Sequence, residues 1–422
     1  MSSDNPMAFP QALRSAAPYI NAHSGRICVV HIPGDVAATD AFKPLIYDLA
    51  LAHSLGLKLI LVLGARPQIE MRLAREQHHM PMVAGHRVTD ALTLDCVREA
   101  VGQLRSEFEA ALSTGLASTP MGGARIHVAS GNLVTARPVG ILEGVDLQFT
   151  GVLRRLDTDT IADHLGNGRI VLLGPLGYSP TGETFNLRSD DLALATAKAM
   201  RADKLVLFTD ADIARGELSL NNAASNEDPI QTLALNAVRA DIPRVHILNA
   251  AQDGALLREL YTRDGCGLMV SAQAFDSLHQ ATIDDIGGLM QLIEPLERAG
   301  VIVPRSREQL ELEIERFTVM ARDDTIIGCR ALYPYPQEAC AELACIIVAP
   351  DYQHGGRANA LLNHTEQAAR GMGLKRLFVL TTQTEHWFIE HGFRRGSLDE
   401  LPQQRQAFYN YQRNSKVLIK DL

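Results

Sequence analysis

The sequence has no run of about 18 uncharged apolar residues, so it offers no segment suited to a membrane-crossing helix. Its first residues, Met1-Ser2-Ser3-Asp4-Asn5-Pro6, show no basic region followed by an apolar core, which argues against a secretory signal and for a cytoplasmic protein. Positive charge is not in excess. Lys and Arg number 40 against 49 Asp and Glu, and the net charge of −9 leaves no electrostatic footprint for nucleic acid. Six cysteines, Cys28, Cys96, Cys266, Cys329, Cys340 and Cys345, include no C-x-x-C pair. They read as reduced, buried small apolar residues, and no metal site is expected. No internal repeat of about 20 to 50 residues and no low-complexity tract breaks the chain.

What is present is a chain of 422 residues, 46% hydrophobic and 21% charged, long enough for two or three domains with full cores. Residues 7 to 23 carry Phe9, Leu13, Ala16 or Ala17, and Ile20 at helical spacing, with Pro18 expected to end or kink that helix. Strands and helices then alternate. Arg26–Ile32 is an apolar strand ending in Pro33-Gly34-Asp35, a helix spans Ala41 to Leu55, and Lys58–Leu63 is a second strand. Further strands fit Ile126–Val128, Ile170–Leu173, Leu205–Phe208 and Arg244–Leu248, and a helix fits Ser189–Met200 with Ser189 as its N-cap. The segments Leu133–Pro138 and Asp146–Arg154 look like an antiparallel excursion. Apolar runs without alternation indicate a mainly parallel sheet covered on both faces, an αβα sandwich. The pattern changes near residue 275. We therefore divide the chain into an N-terminal arm (1–25), an α/β unit (26–272), a linker (273–280) and a second mixed α/β unit (281–422).

The second unit contains the densest chemistry. Cys340–Val348 reads as a buried strand, followed by Gln353-His354-Gly355-Gly356-Arg357-Ala358 and a helix to about Met372. Strand, glycine turn and helix N-terminus together present backbone N–H groups and about half a positive charge to a phosphate. The plainer reading is an ordinary strand-to-helix connection. Glu342, three residues before Cys345, reads either as a proton acceptor facing the site or as an exposed charge at a strand start. Thr381 ends the next strand, Leu377–Thr382, and serves equally well as a β-favouring terminator.

This second unit resembles the GNAT N-acetyltransferases. The resemblance rests on Cys345-Ile346-Ile347-Val348, Gln353-x-x-Gly356-x-Ala358, Leu377–Leu380 and Trp387-Phe388-x-x-x-Gly392-Phe393. It implies that Gln353, His354, Gly355, Gly356, Arg357 and Ala358 bind the pyrophosphate of acetyl-CoA, and that Ile346, Ile347 and Val348 meet its pantetheine arm. Glu342 would then be the catalytic base and Thr381 the group that protonates the leaving thiolate. An N–H near Ile346 is the candidate donor to the thioester oxygen.

The whole chain is similar to the bacterial N-acetylglutamate synthase family, an amino-acid-kinase-like unit fused to a GNAT unit. The phrases that carry this are spread end to end: Ser15-Ala16-Ala17-Pro18-Tyr19-Ile20-Asn21, Gly64-Ala65-Arg66-Pro67-Gln68-Ile69, Gly85-His86-Arg87-Val88-Thr89-Asp90, Arg305-Ser306-Arg307-Glu308 and Tyr409–Leu418. The resemblance implies transfer of acetyl from acetyl-CoA to L-glutamate, the first step of arginine biosynthesis, without a metal. Arg305, Cys345, Arg413 and Ser415 would hold L-glutamate. Tyr19, Glu259 and Gly265 would bind L-arginine as a feedback inhibitor, Glu259 either pairing with the guanidinium or lying as an acid on a helix surface. The protein would be a homo-oligomer, a hexamer built through the first unit. Amino-acid kinases carry Lys-x-Gly-Gly after the first strand. His31-Ile32-Pro33-Gly34 stands there, and Asp241-Ile242-Pro243-Arg244 replaces the family's later lysine phrase, so the first unit is expected not to transfer phosphate.

Overall fold

The computed structural model describes residues 8–114, 119, 121–220, 228–272, 276–322, 325–353, 356–407 and 415–422. The chain forms two compact units, Met1–Ala274 and Phe275–Leu422.

In the first unit, helix α1 (Ala8–His23) precedes β1 (Ile27–Ile32), α2 (Phe42–Ser54) and β2 (Lys58–Leu63). The strands β3 (His127–Ala129), β4 (Val134–Pro138), β5 (Gly151–Leu156) and β6 (Arg169–Leu173) follow. Then come α3 (Ser189–Ala199), β7 (Lys204–Thr209), β8 (Gly216–Ser219), β9 (Arg244–Asn249), α4 (Ala255–Tyr261) and β10 (Leu268–Ser271). The central sheet has the order β8-β10-β9-β7-β1-β2-β6-β3, all parallel except the β9/β10 pair. Leu59 and Leu61 face one core and Ile60 and Val62 the other, which is why these strands read as unbroken apolar runs. β4 and β5 pair antiparallel, as the excursion required.

Two local expectations meet the structure differently in this unit. Helix α1 does not end at Pro18 but runs through it to His23. There His23 Nε2 lies 2.8 Å from Leu260 O of α4, an anchor beyond the proline. Ser189 is not the N-cap of α3. Arg188 holds that position, while Ser189 Oγ lies 3.0 Å from His31 Nε2. A long-range partner has taken the hydroxyl from its local capping role.

The second unit opens with β11 (Ser277–Gln280), then α5 (Ile286–Arg298), α6 (Arg307–Leu312), β12 (Phe317–Arg322) and β13 (Thr325–Tyr335). β14 (Cys340–Val348), α7 (Arg357–Gly371), β15 (Arg376–Thr381), α8 (Glu385–Glu390), β16 (Arg394–Arg395), α9 (Gln403–Ala407) and β17 (Lys416–Asp421) complete it. The sheet order is β11-β12-β13-β14-β15-β17-β16, and only β14/β15 is parallel. Residues 277–280, expected as linker, are the edge strand of this sheet. Ser277–Gln280 pairs with Thr318–Ala321, so a stretch that looks too polar for a strand is satisfied by one-sided pairing at an edge.

Candidate active site

Two features of β14 create the site. First, β14 and β15 pair only over Cys340–Glu342 with Arg376–Phe378. Past Glu342 the two parallel strands pair no further, and Ile346, Ile347 and Val348 lie on the separated stretch. Second, the β13/β14 register shifts between Cys329 and Ala331, so that Cys345 and Ile346 together oppose Arg330. This is a β-bulge, and Cys345 stands at φ +51°, a left-handed conformation unusual for a side chain larger than glycine. Such a bulge bends the strand and re-aims its groups.

Glu342 is the last residue of β14 to pair with β15, and it is 8% exposed. Its carboxylate is gripped in two places by Arg405 of α9, Nε to Oε2 at 2.6 Å and Nη2 to Oε1 at 3.1 Å. Burial works against the Arg405 cation, but the Glu342 bonds outweigh it and raise its pKa. The pair is a bidentate, part-buried ion pair, not an exposed strand-start charge.

Three residues past the last β14/β15 pair on β14 is Cys345, and three past it on β15 is Thr381. Arg305 is beside Cys345. Its guanidinium interacts with the Cys345 thiol and the Tyr333 hydroxyl, while Tyr333 donates to Glu313 Oε2 at 2.6 Å. Arg305 is fixed by its own N–H donating to Glu297 Oε1 at 2.8 Å and by Nη1 donating to Val303 O at 3.2 Å. Burial pushes the Cys345 thiol up and Arg305 opposes this, but the net shift is upward, so the sulfur is a thiol rather than a nucleophilic thiolate. Thr381 Oγ1 accepts from Thr384 N at 3.2 Å and lies 2.9 Å from Thr384 Oγ1, closing the turn into α8. Its strand neighbour Lys416 is adjacent to Ser415, so the sheet brings Ser415 to the same end of β15. Arg413 lies outside the described residues.

The loop after β14 passes a short 3₁₀ turn, Pro350–Tyr352, and enters α7 at Gly356, whose φ is +71°. No side chain caps this helix, and the N–H groups of Arg357, Ala358 and Asn359 precede the first intrahelical bond, Ala360 N to Gly356 O at 3.0 Å. A Cβ placed on Gly356 would meet nothing within 4 Å. Open space before uncapped donors fits the pyrophosphate of acetyl-CoA, and the unpaired length of β14 fits an amide-bearing arm. The side chain of Gln353 donates back to Val348 O at 3.2 Å. The Arg357 side chain is committed to Asp276 and to Tyr352 O. Its Nε donates to Asp276 Oδ2 at 2.7 Å. His354 and Gly355 lie outside the described residues.

In the first unit, Tyr19 on α1 is half-buried and packs on the core beneath α4. Glu259 on α4 is no surface acid, since its side chain is 5% exposed. His246 Nδ1 lies 2.7 Å from its Oε1, and the N–H groups of Cys266 and Gly267 donate to Oε2 at 2.7 and 2.9 Å. Burial tends to raise its pKa, but His246 and these N–H groups prevail and hold it at about 2. Gly265 stands at φ +57°, and a Cβ there would collide with the Glu259 carboxylate.

Arg405, Tyr333 and Glu313 were not singled out by sequence. Arg405 stands among Gln403, Gln404 and Gln406 with no periodic signal, and only the return of the chain over β14 reveals its partner. No group of three or more His, Cys, Asp or Glu side chains suited to a metal occurs among the described residues. No helix among them is long and apolar enough to cross a membrane.

Fold and site together define an amino-acid-kinase-type unit joined to an acetyl-CoA-dependent acyltransferase unit. Residues 26–216 match the amino acid kinase family and residues 288–393 the acetyltransferase (GNAT) family. The amino-acid acetyltransferases of Ectopseudomonas mendocina and Pseudomonas fluorescens are each 50% identical, over 97% of this chain and 98% of theirs. The crystal structure of N-acetylglutamate synthase from Neisseria gonorrhoeae complexed with coenzyme A and L-arginine superposes with a TM-score of 0.85 at 38% identity, covering 98% of this chain and 99% of that one. The same enzyme complexed with coenzyme A and N-acetyl-glutamate gives a TM-score of 0.61 at 37% identity. This chain belongs to the amino-acid acetyltransferase family, the N-acetylglutamate synthases.

Proposed function

We propose that this chain transfers the acetyl group of acetyl-CoA directly to the amino group of L-glutamate, giving N-acetyl-L-glutamate and CoA, the first step of arginine biosynthesis. The observation that carries the reading is the placement of Glu342 where β14 and β15 part, within electrostatic reach of Cys345, which Arg305 contacts, on the strand that leads to α7. Acetyl-CoA supplies the thioester. Arg305 and Arg413, with Ser415, hold the carboxylates of glutamate, because a guanidinium binds a carboxylate in two places. Cys345 contacts the substrate without forming an acyl-enzyme, consistent with its raised pKa. An ionised carboxylate has about four acceptor positions. Arg405 takes two of those on Glu342, leaving the others to accept the ammonium proton, directly or through water. The freed amine attacks the carbonyl, the N–H near Ile346 receives the developing oxyanion, and as the C–S bond breaks the nitrogen gives up its second proton, which the Thr381 hydroxyl relays to the CoA thiolate.

L-arginine inhibits through the first unit, at Tyr19, Gly265 and the loop that Glu259 braces. In this reading Glu259 shapes the pocket through Cys266 and Gly267 and leaves the guanidinium to backbone groups. The protein works in the cytoplasm as a homo-hexamer. Phe9 and Leu13 on α1, 75% and 52% exposed, supply apolar surface for that assembly. The test is CoA release from acetyl-CoA with L-glutamate, with and without L-arginine. No release above the acetyl-CoA background would sink the assignment.

A further inference from the structure

Asp276 opens the described part of the second unit, just past the junction between the two units, and its carboxylate is not spent locally. It reaches Arg357 Nε at 2.7 Å and lies 3.7 Å from Arg322 Nη1, with all three side chains less than a fifth exposed. Arg357 is the first residue of α7. Its Nη1 donates to Tyr352 O at 3.3 Å, and its guanidinium stands 5.4 Å from the centre of the Tyr352 ring. Arg322 stands 5.8 Å from the centre of the same ring. Tyr352 ends the turn that precedes the loop, and Arg357 begins the helix that follows it. The two ends of the loop are therefore clasped together, and the clasp rests on Asp276.

The electrostatics explain why a carboxylate is needed. A cation at the first position of a helix opposes the partial positive charge of the helix N-terminus. Released from Asp276, the Arg357 guanidinium would be repelled by that terminus and would be free to leave Tyr352 O. Held by Asp276, it pins the loop at its start and finish, and the N–H groups at the head of α7 keep a fixed direction.

We propose that Asp276 is a positioning residue for acetyl-CoA: it acts through Arg357 to hold Tyr352 and the head of α7 together, so that the N–H groups at that helix terminus stay aimed for pyrophosphate. This rests on the assignment of the loop to acetyl-CoA. It adds that the placement of the α7 head depends on a carboxylate 81 residues away in the chain, which no contact with the cofactor would reveal.

The experiment is Asp276→Asn in the full-length protein, with Asp276→Glu as the charge-preserving partner. CoA binding is followed by calorimetry and turnover by CoA release. Wild type that does not bind CoA would remove the assignment of the loop itself. With wild-type binding established, Asp276→Asn should raise both the Kd for CoA and the KM for acetyl-CoA by about tenfold. The KM for L-glutamate and the kcat at saturating acetyl-CoA should stay near wild type. Asp276→Glu should recover most of the affinity. A general loss of folding would instead lower kcat and disturb both KM values. If Asp276→Asn does not fold, the double variant Asp276→Asn/Arg357→Gln, which leaves no unpaired Arg357 charge, carries the test: its CoA affinity should still fall about tenfold with an unchanged KM for glutamate, and unchanged affinity would overturn the proposal. Unchanged CoA affinity in a folded Asp276→Asn, tighter binding, or equal losses in both KM values and kcat would overturn the proposal.

Discussion

Each unit turns from a buried strand into a helix through a short glycine-bearing loop, and the two corners differ in what fills them. In the first unit β1 ends at Ile32, and Pro33-Gly34 leads into the short helix Gly34–Ala37. A Cβ on Gly34 would strike the Gln68 side chain and Pro67, and Gln68 Nε2 donates to Gly34 O at 2.8 Å. Pro33 has no N–H to offer. His31, one residue before the strand ends, lies 3.0 Å from Ser189 Oγ and 3.3 Å from Asp190 Oδ1. Burial lowers the pKa of His31, with Asp190 pulling the other way, so no lasting cation points into this corner. In the second unit Gly356 opens onto space before uncapped N–H groups. At Gly34 the missing side chain lets a neighbour approach the backbone closely. In the first corner that neighbour is the protein's own Gln68, whereas a Cβ on Gly356 would meet nothing within 4 Å.

The sharpest way to break this contrast is at Glu342, beside the open corner. Glu342→Gln keeps the shape but removes the proton acceptor, so kcat should fall about 10² to 10⁴-fold with little change in either KM, read by CoA release. A variant keeping more than about a tenth of wild-type kcat would remove Glu342 as the base. The counterpart in the first unit should act on stability. Glu259 has a folded pKa of about 2 against an ordinary 4.5. A depressed carboxylate stabilises the fold fully above about 4.5 and progressively less as pH falls toward 2. Glu259→Gln should therefore cost up to roughly 3 kcal/mol at pH 7 and little near pH 2, measured by denaturant unfolding of the first unit's transition. A cost that does not shrink on acidification would show that packing, not charge, is what Glu259 contributes.

Smaller effects test the corners themselves. Gly356→Val places a β-branched residue at positive φ, which costs about 1 to 2 kcal/mol and should weaken CoA binding roughly tenfold in calorimetry. Unaltered affinity would mean that the loop does not need this backbone shape. The smallest effect is expected from His31→Lys with Pro33→Gly in the first unit. Restoring the cation and the N–H should still yield no ATP turnover, because Gln68 and Pro67 fill the corner. Measurable ADP release would show that the corner opens.

Regular elements were readable because their signals are local. Lys58–Leu63 and Cys340–Val348 fall where apolar runs place them, and the glycine before α7 marks a turn whatever surrounds it. The misses have one cause, a partner distant in the chain. Residues 277–280 look like a linker until Thr318–Ala321 pairs with them. Ser189 looks like a cap until His31 takes its hydroxyl, and Pro18 looks like a helix end until His23 is anchored on α4.

By itself the sequence determined the two-unit plan and the strand-loop-helix corners, because periodicity, proline and glycine act over a few residues. Tertiary structure decided the rest. It parted β14 from β15 at Glu342, set Arg405 on that carboxylate from 63 residues away, and turned Glu259 inward onto His246. Charges have no periodicity that names their partners. Their pairing is settled only when the sheet order brings distant segments within hydrogen-bonding reach.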